Sequence, residues 1–371
     1  MSRGALDGIV VLDFSRVLAG PYATMLLGDY GAEVIKVERP SVGDDTRAWG
    51  PPYDSAGVAT YFNAINRNKR SVTVDLSTPA GVDRARELAA GADIVVENFR
   101  PGTMERLGLG YDDLRQIRPD VIYCSITGFG RDGGAALPGY DLLVQAVGGL
   151  MSVTGPAPGA PTKVGVALVD VLTGLHALSG ILAALHHRDR TGEGQRVDTN
   201  LLSSLLSSMV NQASGYLGAG VVPGIMGNRH PSITPYETFE TADRPIAVAV
   251  GNDKQFAAIA DRLGVREILG DRRFGSNADR VANRDALCDI LGRVFLTRGA
   301  DHWHEVLTEA GVPAGPINDL AEAFAFADRL GLHPIVPVPG TSTPQVANPV
   351  DLSATPVTYR LAPPAMKEDA D

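Results

Sequence analysis

Apolar and polar positions along this chain follow two periods, and their alternation predicts the architecture. Residues 9–14 form an apolar run of strand length around Asp13, and residues 33–38, with Val34, Ile35 and Val37 between charged positions, read as the next strand. Between them, residues 21–30 read as a helix, opened by Pro21 near its first turn and closed by Gly31. Further strands are predicted at 71–76, 93–97 and 121–126, with a helix near 79–90. Strands alternating with helices specify a parallel sheet flanked by helices, a doubly wound, Rossmann-like α/β layer.

The pattern changes twice downstream. Residues 164–185 are apolar or small almost throughout, interrupted by the lone carboxylate Asp170 and by Thr173, His176 and Ser179. This stretch reads as a buried core helix rather than a membrane span. A helical stretch at 200–216 closes the first unit. Residues 227–231 then form a loop, 246–250 a strand and 253–263 a helix, with more helices near 283–296 and 300–310. The chain is therefore expected to hold a large domain at 1–224, a smaller α/β or α+β domain at 225–325, and a Pro-rich tail at 326–371 that returns to the large domain.

Composition narrows the chemistry. The 371 residues carry 33 basic and 43 acidic side chains, a net charge of −10, which argues against a nucleic-acid or membrane binder. Only Cys124 and Cys288 are present, too far apart for a C-x-x-C or a metal-ligand spacing. With no signal-peptide core in the first residues, the expectation is a reduced, cytoplasmic protein. No metal is expected. His302 and His304 flank Trp303, and His186 and His187 are adjacent, so neither pair shares a helical face.

Three familiar active-site signatures are missing where they would be expected. The turn after the first strand, Ser15 to Pro21, has one glycine where a dinucleotide fingerprint needs three, although Glu38 ends the second strand where a ribose-binding acid would sit. There is no G-x-S-x-G elbow and no P-loop. What remains is a set of side chains at predicted strand ends: Arg39 after the second, and Asn98, Phe99 and Arg100 after a later one, with Arg106 about one turn into the next helix. Ligands of parallel sheets bind at those ends. A carboxylate such as Asp170, set at a helix start among apolar residues, either caps the helix or serves as a nucleophile toward an activated acyl group.

Several segments, taken in order, resemble the family III CoA-transferases, the group that includes formyl-CoA transferase, carnitine CoA-transferase and 2-methylacyl-CoA racemase. They are residues 8–14, 31–40, 68–71, 96–102, 148–155 and 190–195. The resemblance spans nearly the whole chain. It implies a Rossmann-like large domain with a small domain, an interlocked homodimer, and coenzyme A handled as an acyl-CoA substrate, with a small carboxylic acid as the other partner. It places the family's nucleophilic aspartate on Asp170, with Asp141 and Tyr140 near the acyl site. CoA-binding positions fall on Leu18, Ala19, Arg39, Val74, Asp75, Asn98, Phe99 and Arg106. The reaction implied runs through a mixed anhydride and an aspartyl-CoA thioester on Asp170. Two alternatives stand beside it, a racemase or epimerase of the same fold and a non-catalytic acyl-CoA-binding protein. The racemases carry histidine where this chain has Tyr140, and a phenol of pKa about 10 is a poor base at neutral pH. Residues 227–232 lack the glycine run of the oxalate-using members and look more like the dicarboxylate-using ones.

Overall fold

The computed structural model describes residues 4–366, which form two compact units. Unit 1 takes the chain up to residue 151, residues 163–223 and the chain from 331 onward. Unit 2 takes residues 152–162 and 224–330.

Unit 1 is centred on a six-stranded sheet of β1 (Val10–Asp13), β2 (Glu33–Glu38), β3 (Lys69–Thr73), β4 (Ile94–Glu97), β5 (Ile122–Thr127) and β6 (Arg196–Asn200). The order is β3-β2-β1-β4-β5-β6 and every pair is parallel. Helices α1 (Ala19–Asp29), α2 (Thr60–Ile65), α3 (Pro79–Ala90), α4 (Thr103–Arg106) and α5 (Tyr111–Ile117) follow the first strands. After β5 come α6 (Asp141–Val147), α7 (Leu150–Val153), the long α8 (Leu168–Thr191), α9 (Leu201–Ser208) and α10 (Val210–Ala219).

Both faces of the sheet are covered, so its strands are largely apolar, with buried charges such as Asp13, Lys36 and Lys69 set among them. Side chains alternate along each strand: Val11, Ile94, Val96 and Ile122 pack with α1 and α8, and Leu12, Val95 and Tyr123 pack with Ala85 and Ala89 of α3 on the other face. The strand expected at 71–76 lies at 69–73 instead. Val74 still donates to the Glu38 carbonyl, but Asp75 takes the N–H and hydroxyl of Ser77 in a tight turn that ends pairing. The helix expected at 200–216 is broken between α9 and α10, where Val210 adopts φ 35°.

By length and hydropathy α8 would cross a membrane, yet its inner face is the centre of the core, with Val169, Ala177 and Ile181 fully buried. A Cβ on Gly174 would lie 2.6 Å from the Ala19 carbonyl oxygen, so this glycine lets α8 press against the first turn of α1. The tail returns to unit 1. Arg67 binds both oxygens of Asp29 (2.9 and 2.7 Å) and the Val346 carbonyl, while Asn68 binds the Thr358 carbonyl.

Unit 2 is an antiparallel sheet of β7 (Tyr236–Phe239), β8 (Ile246–Ala249) and β9 (Ala314–Pro316) with helices α11 (Asp253–Arg262), α12 (Asn277–Ala282), α13 (Arg284–Phe295), α14 (Ala300–Glu309) and α15 (Leu320–Arg329). Its separate core gathers Phe239, Ile246, Val248, Leu291, Phe295 and Trp303. The architecture is thus a Rossmann-like α/β layer plus an α+β unit.

Candidate active site

The sheet order changes direction between β1 and β4, the crevice where open α/β sheets bind ligands at their carboxyl ends. A cleft of about 320 Å³ opens there. The turn after β1 supplies Arg16 to Ala19, the turn after β4 supplies Asn98 to Pro101, and β5 ends in it at Ile126 to Gly128. Leu137 to Tyr140, Asp45, Leu201 and Asp170 complete the lining.

Asp170 reaches the cleft through α8. It lies one helical turn before Gly174, so both face α1, and the close approach at Ala19 carries the carboxylate to the turn after β1. Ala167, at the cap position of α8, offers no side-chain cap. Asp141 of α6 supplies one from outside: its Oδ1 accepts the N–H groups of Val169 (2.8 Å) and Asp170 (3.3 Å). Its Oδ2 accepts Gln145 Nε2 at 2.6 Å, and Gln145 Oε1 accepts the Val164 N–H. The Asp141 carboxylate is therefore spent on the end of α8, satisfying amides a helix start leaves open. The Asp170 carboxylate receives no hydrogen bond among the described residues, so of the two roles the sequence left open, its side chain does not perform the capping. Burial, and then the charge of Asp141, raises its pKa to about 7. A carboxylate half-ionised near neutrality and short of donors is a reactive one.

The wall beside it is rigid. Asn98 Oδ1 accepts the Arg16 N–H (2.9 Å) and its amide donates to the Arg16 carbonyl (2.7 Å), while Arg16 lies over the Phe99 ring at 5.2 Å. Val17 holds φ 71°, a strained conformation for a β-branched residue. Beneath this turn is a buried network. Lys69 pairs with Asp13 at 3.1 Å and Lys36 with Asp44 at 2.7 Å, all four side chains fully buried. Lys36 also donates to the Ser15 carbonyl, and Asp13 accepts from Thr24 and Ser15. Burial pushes Lys69 down to about 8 against the pull of Asp13.

Of the residues singled out by sequence, the cleft gathers Leu18, Ala19, Asn98, Phe99, Arg100, Tyr140 and Asp170. Tyr140 is exposed there, at 63 %. Asp141 stands behind Asp170. Arg39 reaches the cleft only through Asp45, at 3.1 Å. Val74 is buried in the core, with its N–H already bonded to Glu38. Asp75 is held by Ser77, and Arg106, on α4 beyond Pro101, donates to Thr103. Glu38, in the ribose-binding place, is bound bidentately by Arg47 and also accepts from Ser71. Sequence reading missed Asp45, the 137–139 segment and the buried lysines. One signal was available: Lys36 sits between Ile35 and Val37 in a central strand, where a charge must be paired. The 137–139 segment is seated by contact of two glycines, since a Cβ on Gly128 would lie 2.6 Å from the Gly139 Cα.

A family model described as CoA-transferase family III matches residues 6–370. Succinyl-CoA:glutarate CoA-transferase of Mus musculus is 45% identical over 330 residues, covering 89% of this chain and 76% of that protein. Succinate–glutarate CoA-transferase of Agrobacterium fabrum is 44% identical over 372 residues, 98% of this chain and 93% of that one. The crystal structure of a CAIB/BAIF family protein from Brucella suis superposes with a TM-score of 0.88 at 42% identity, covering 99% and 97% of the two chains.

Proposed function

The chain belongs to CoA-transferase family III, enzymes that move CoA between an acyl-CoA and an acid, and we propose that it does so through a covalent CoA ester of Asp170. The observation that carries this reading is the Asp170 carboxylate itself, without a hydrogen-bond donor among the described residues, raised to about 7 and open to a cleft at the switch point of the sheet.

An ionised Asp170 oxygen attacks the donor thioester carbonyl and expels CoA thiolate, giving a mixed anhydride. The thiolate attacks the Asp170 Cγ and releases the donor acid, leaving an aspartyl-CoA thioester. An acceptor carboxylate attacks the same Cγ, expels thiolate and forms a second anhydride. Attack of thiolate on the acceptor's acyl carbon then frees Asp170 and the new acyl-CoA. Each covalent species divides one difficult exchange into easier ones. Asp141 serves as a positioning residue, fixing the first turn of α8 and keeping Asp170 basic. The Leu18, Ala19, Asn98 and Phe99 wall binds CoA, with Arg39 and Arg106 at its margins and Val74 and Asp75 offering backbone at most.

No imidazole is among the residues lining the cleft, which favours transfer over α-proton exchange. We assign dicarboxylates as the substrate class, on the strength of the named activities of the relatives. Apolar side chains exposed on α8 to α10, among them Leu175, Leu206, Val210 and Leu217, support an interlocked pair of copies as the working unit. Both cysteines are free, as the reducing cytoplasm in which we place the enzyme requires. The test is direct: succinyl-CoA with glutarate and other four- to six-carbon diacids yields the corresponding new acyl-CoA. Failure with every pair, from protein that binds CoA, overturns the substrate class.

A further inference from the structure

The rim of the cleft holds an ion triad that the chemistry at Asp170 does not use. Asp45 places one oxygen 3.1 Å from Arg16 Nη1 and the other 3.1 Å from Arg39 Nη2. All three side chains are partly exposed, at 33% for Arg16, 37% for Asp45 and 54% for Arg39. Both Arg16 and Asp45 line the cleft. One carboxylate thus shares two guanidinium groups, touching each through a single nitrogen and leaving a net positive charge and most of the fork donors free.

The backbone under Asp45 is fixed. Asp44 is fully buried against Lys36, and its other oxygen accepts the Thr46 N–H and hydroxyl, capping the short turn Asp45–Ala48. The Asp44 N–H is in turn held by Glu38. Arg16 is fixed at its backbone by Asn98 and over the Phe99 ring. With the main chain locked beside Asp45 and at Arg16, the side chains of Asp45 and of the more exposed Arg39 are the adjustable parts of the triad. A tetrahedral phosphate presents the same oxygens to an arginine pair with more charge.

We propose that Asp45 is an anionic placeholder in a phosphate-binding site: it offsets one of the two positive charges of Arg16 and Arg39 in the free enzyme and is displaced by a phosphate of CoA. The proposal rests on the reading of the chain as a CoA-transferase and assigns to Arg16 and Asp45 the tuning of its affinity. Its function is to keep CoA binding loose enough for the acyl-CoA product to leave, since a permanently open arginine pair would hold both substrate and product.

The test is titration calorimetry of CoA against wild type, Asp45→Asn and Asp45→Ser, with pantetheine as the phosphate-free probe. Removing a competing charge at a partly exposed site predicts CoA binding about three- to tenfold tighter in both variants at low salt. That gain shrinks as salt screens the site, toward ~0.5 M sodium chloride. Pantetheine gains nothing. CoA affinity that is unchanged or weaker in both variants overturns the proposal, as does an equal gain for pantetheine. Wild type that binds no CoA at all overturns the underlying reading together with it.

Discussion

Two groups of buried charge lie within unit 1 and are treated in opposite ways. Under the turn after β1, Asp13, Lys36, Asp44 and Lys69 are fully buried, and each has a counter-ion within 3.1 Å and further hydrogen bonds. A few residues above, at the start of α8, Asp170 is partly buried next to another carboxylate and receives no donor among the described residues. Burial acts on both groups, yet the outcomes differ. Burial raises the Asp13 carboxyl, but Lys69 and Lys36 with two hydroxyls bring it below its ordinary value, whereas Asp170 has nothing to oppose the rise. Pairing serves the scaffold, and the missing pair serves the chemistry.

The comparison breaks most visibly at Asp170 itself. Asp170→Asn should lower CoA transfer by at least ~10³-fold with CoA binding retained, measured by steady-state kinetics and calorimetry. Transfer within tenfold of wild type would remove the contrast. Next comes the scaffold pair: Lys69→Met leaves Asp13 buried without its counter-ion and should cost about 3–5 kcal/mol in urea unfolding.

The same unfolding measurement on Asp170→Asn should have the opposite sign. Unfolded Asp170 titrates near 3.8 and folded Asp170 near 7. Between those values the folded state binds the extra proton, so wild-type stability falls as pH rises, and asparagine removes that fall. The variant should therefore be more stable than wild type at pH 8, by on the order of 2–4 kcal/mol, with the gain closing toward pH 4. The smallest effect belongs to Asp141→Asn. Wild-type kcat/KM should rise with pH through about 7 as Asp170 ionises. Removing the Asp141 charge should move that limb to lower pH, with Oδ1 still able to cap α8. A limb that stays in place would sever the coupling between the two carboxylates.

Much of the fold was legible because central strands are built around short clusters of β-branched and other apolar residues: the expected strands at 9–14, 33–38, 93–97 and 121–126 all overlap observed ones. The edges were not. β6 is a half-buried edge strand, Arg196 to Asn200, without an apolar run. β3 begins at Lys69, a residue that reads as exposed and is in fact buried on Asp13. At the site, Asp170 stood out as a charge inside an apolar run, and Asn98 and Phe99 stood out at a strand end. The cap that Asp141 places on α8 spans 28 residues, and Asp45 lies in a loop without periodicity, so local pattern carried no sign of either contact.

The central claim is a covalent bond to Asp170, and intact-protein mass spectrometry reads it directly. Wild type and Asp170→Ala would be mixed with a panel of short acyl-CoA and dicarboxyl-CoA donors, with parallel samples quenched in hydroxylamine. The account predicts a CoA-sized mass increase on wild type, removed by hydroxylamine and absent from the variant. Turnover of a donor with no adduct at any time, or an adduct that persists in Asp170→Ala, would contradict it.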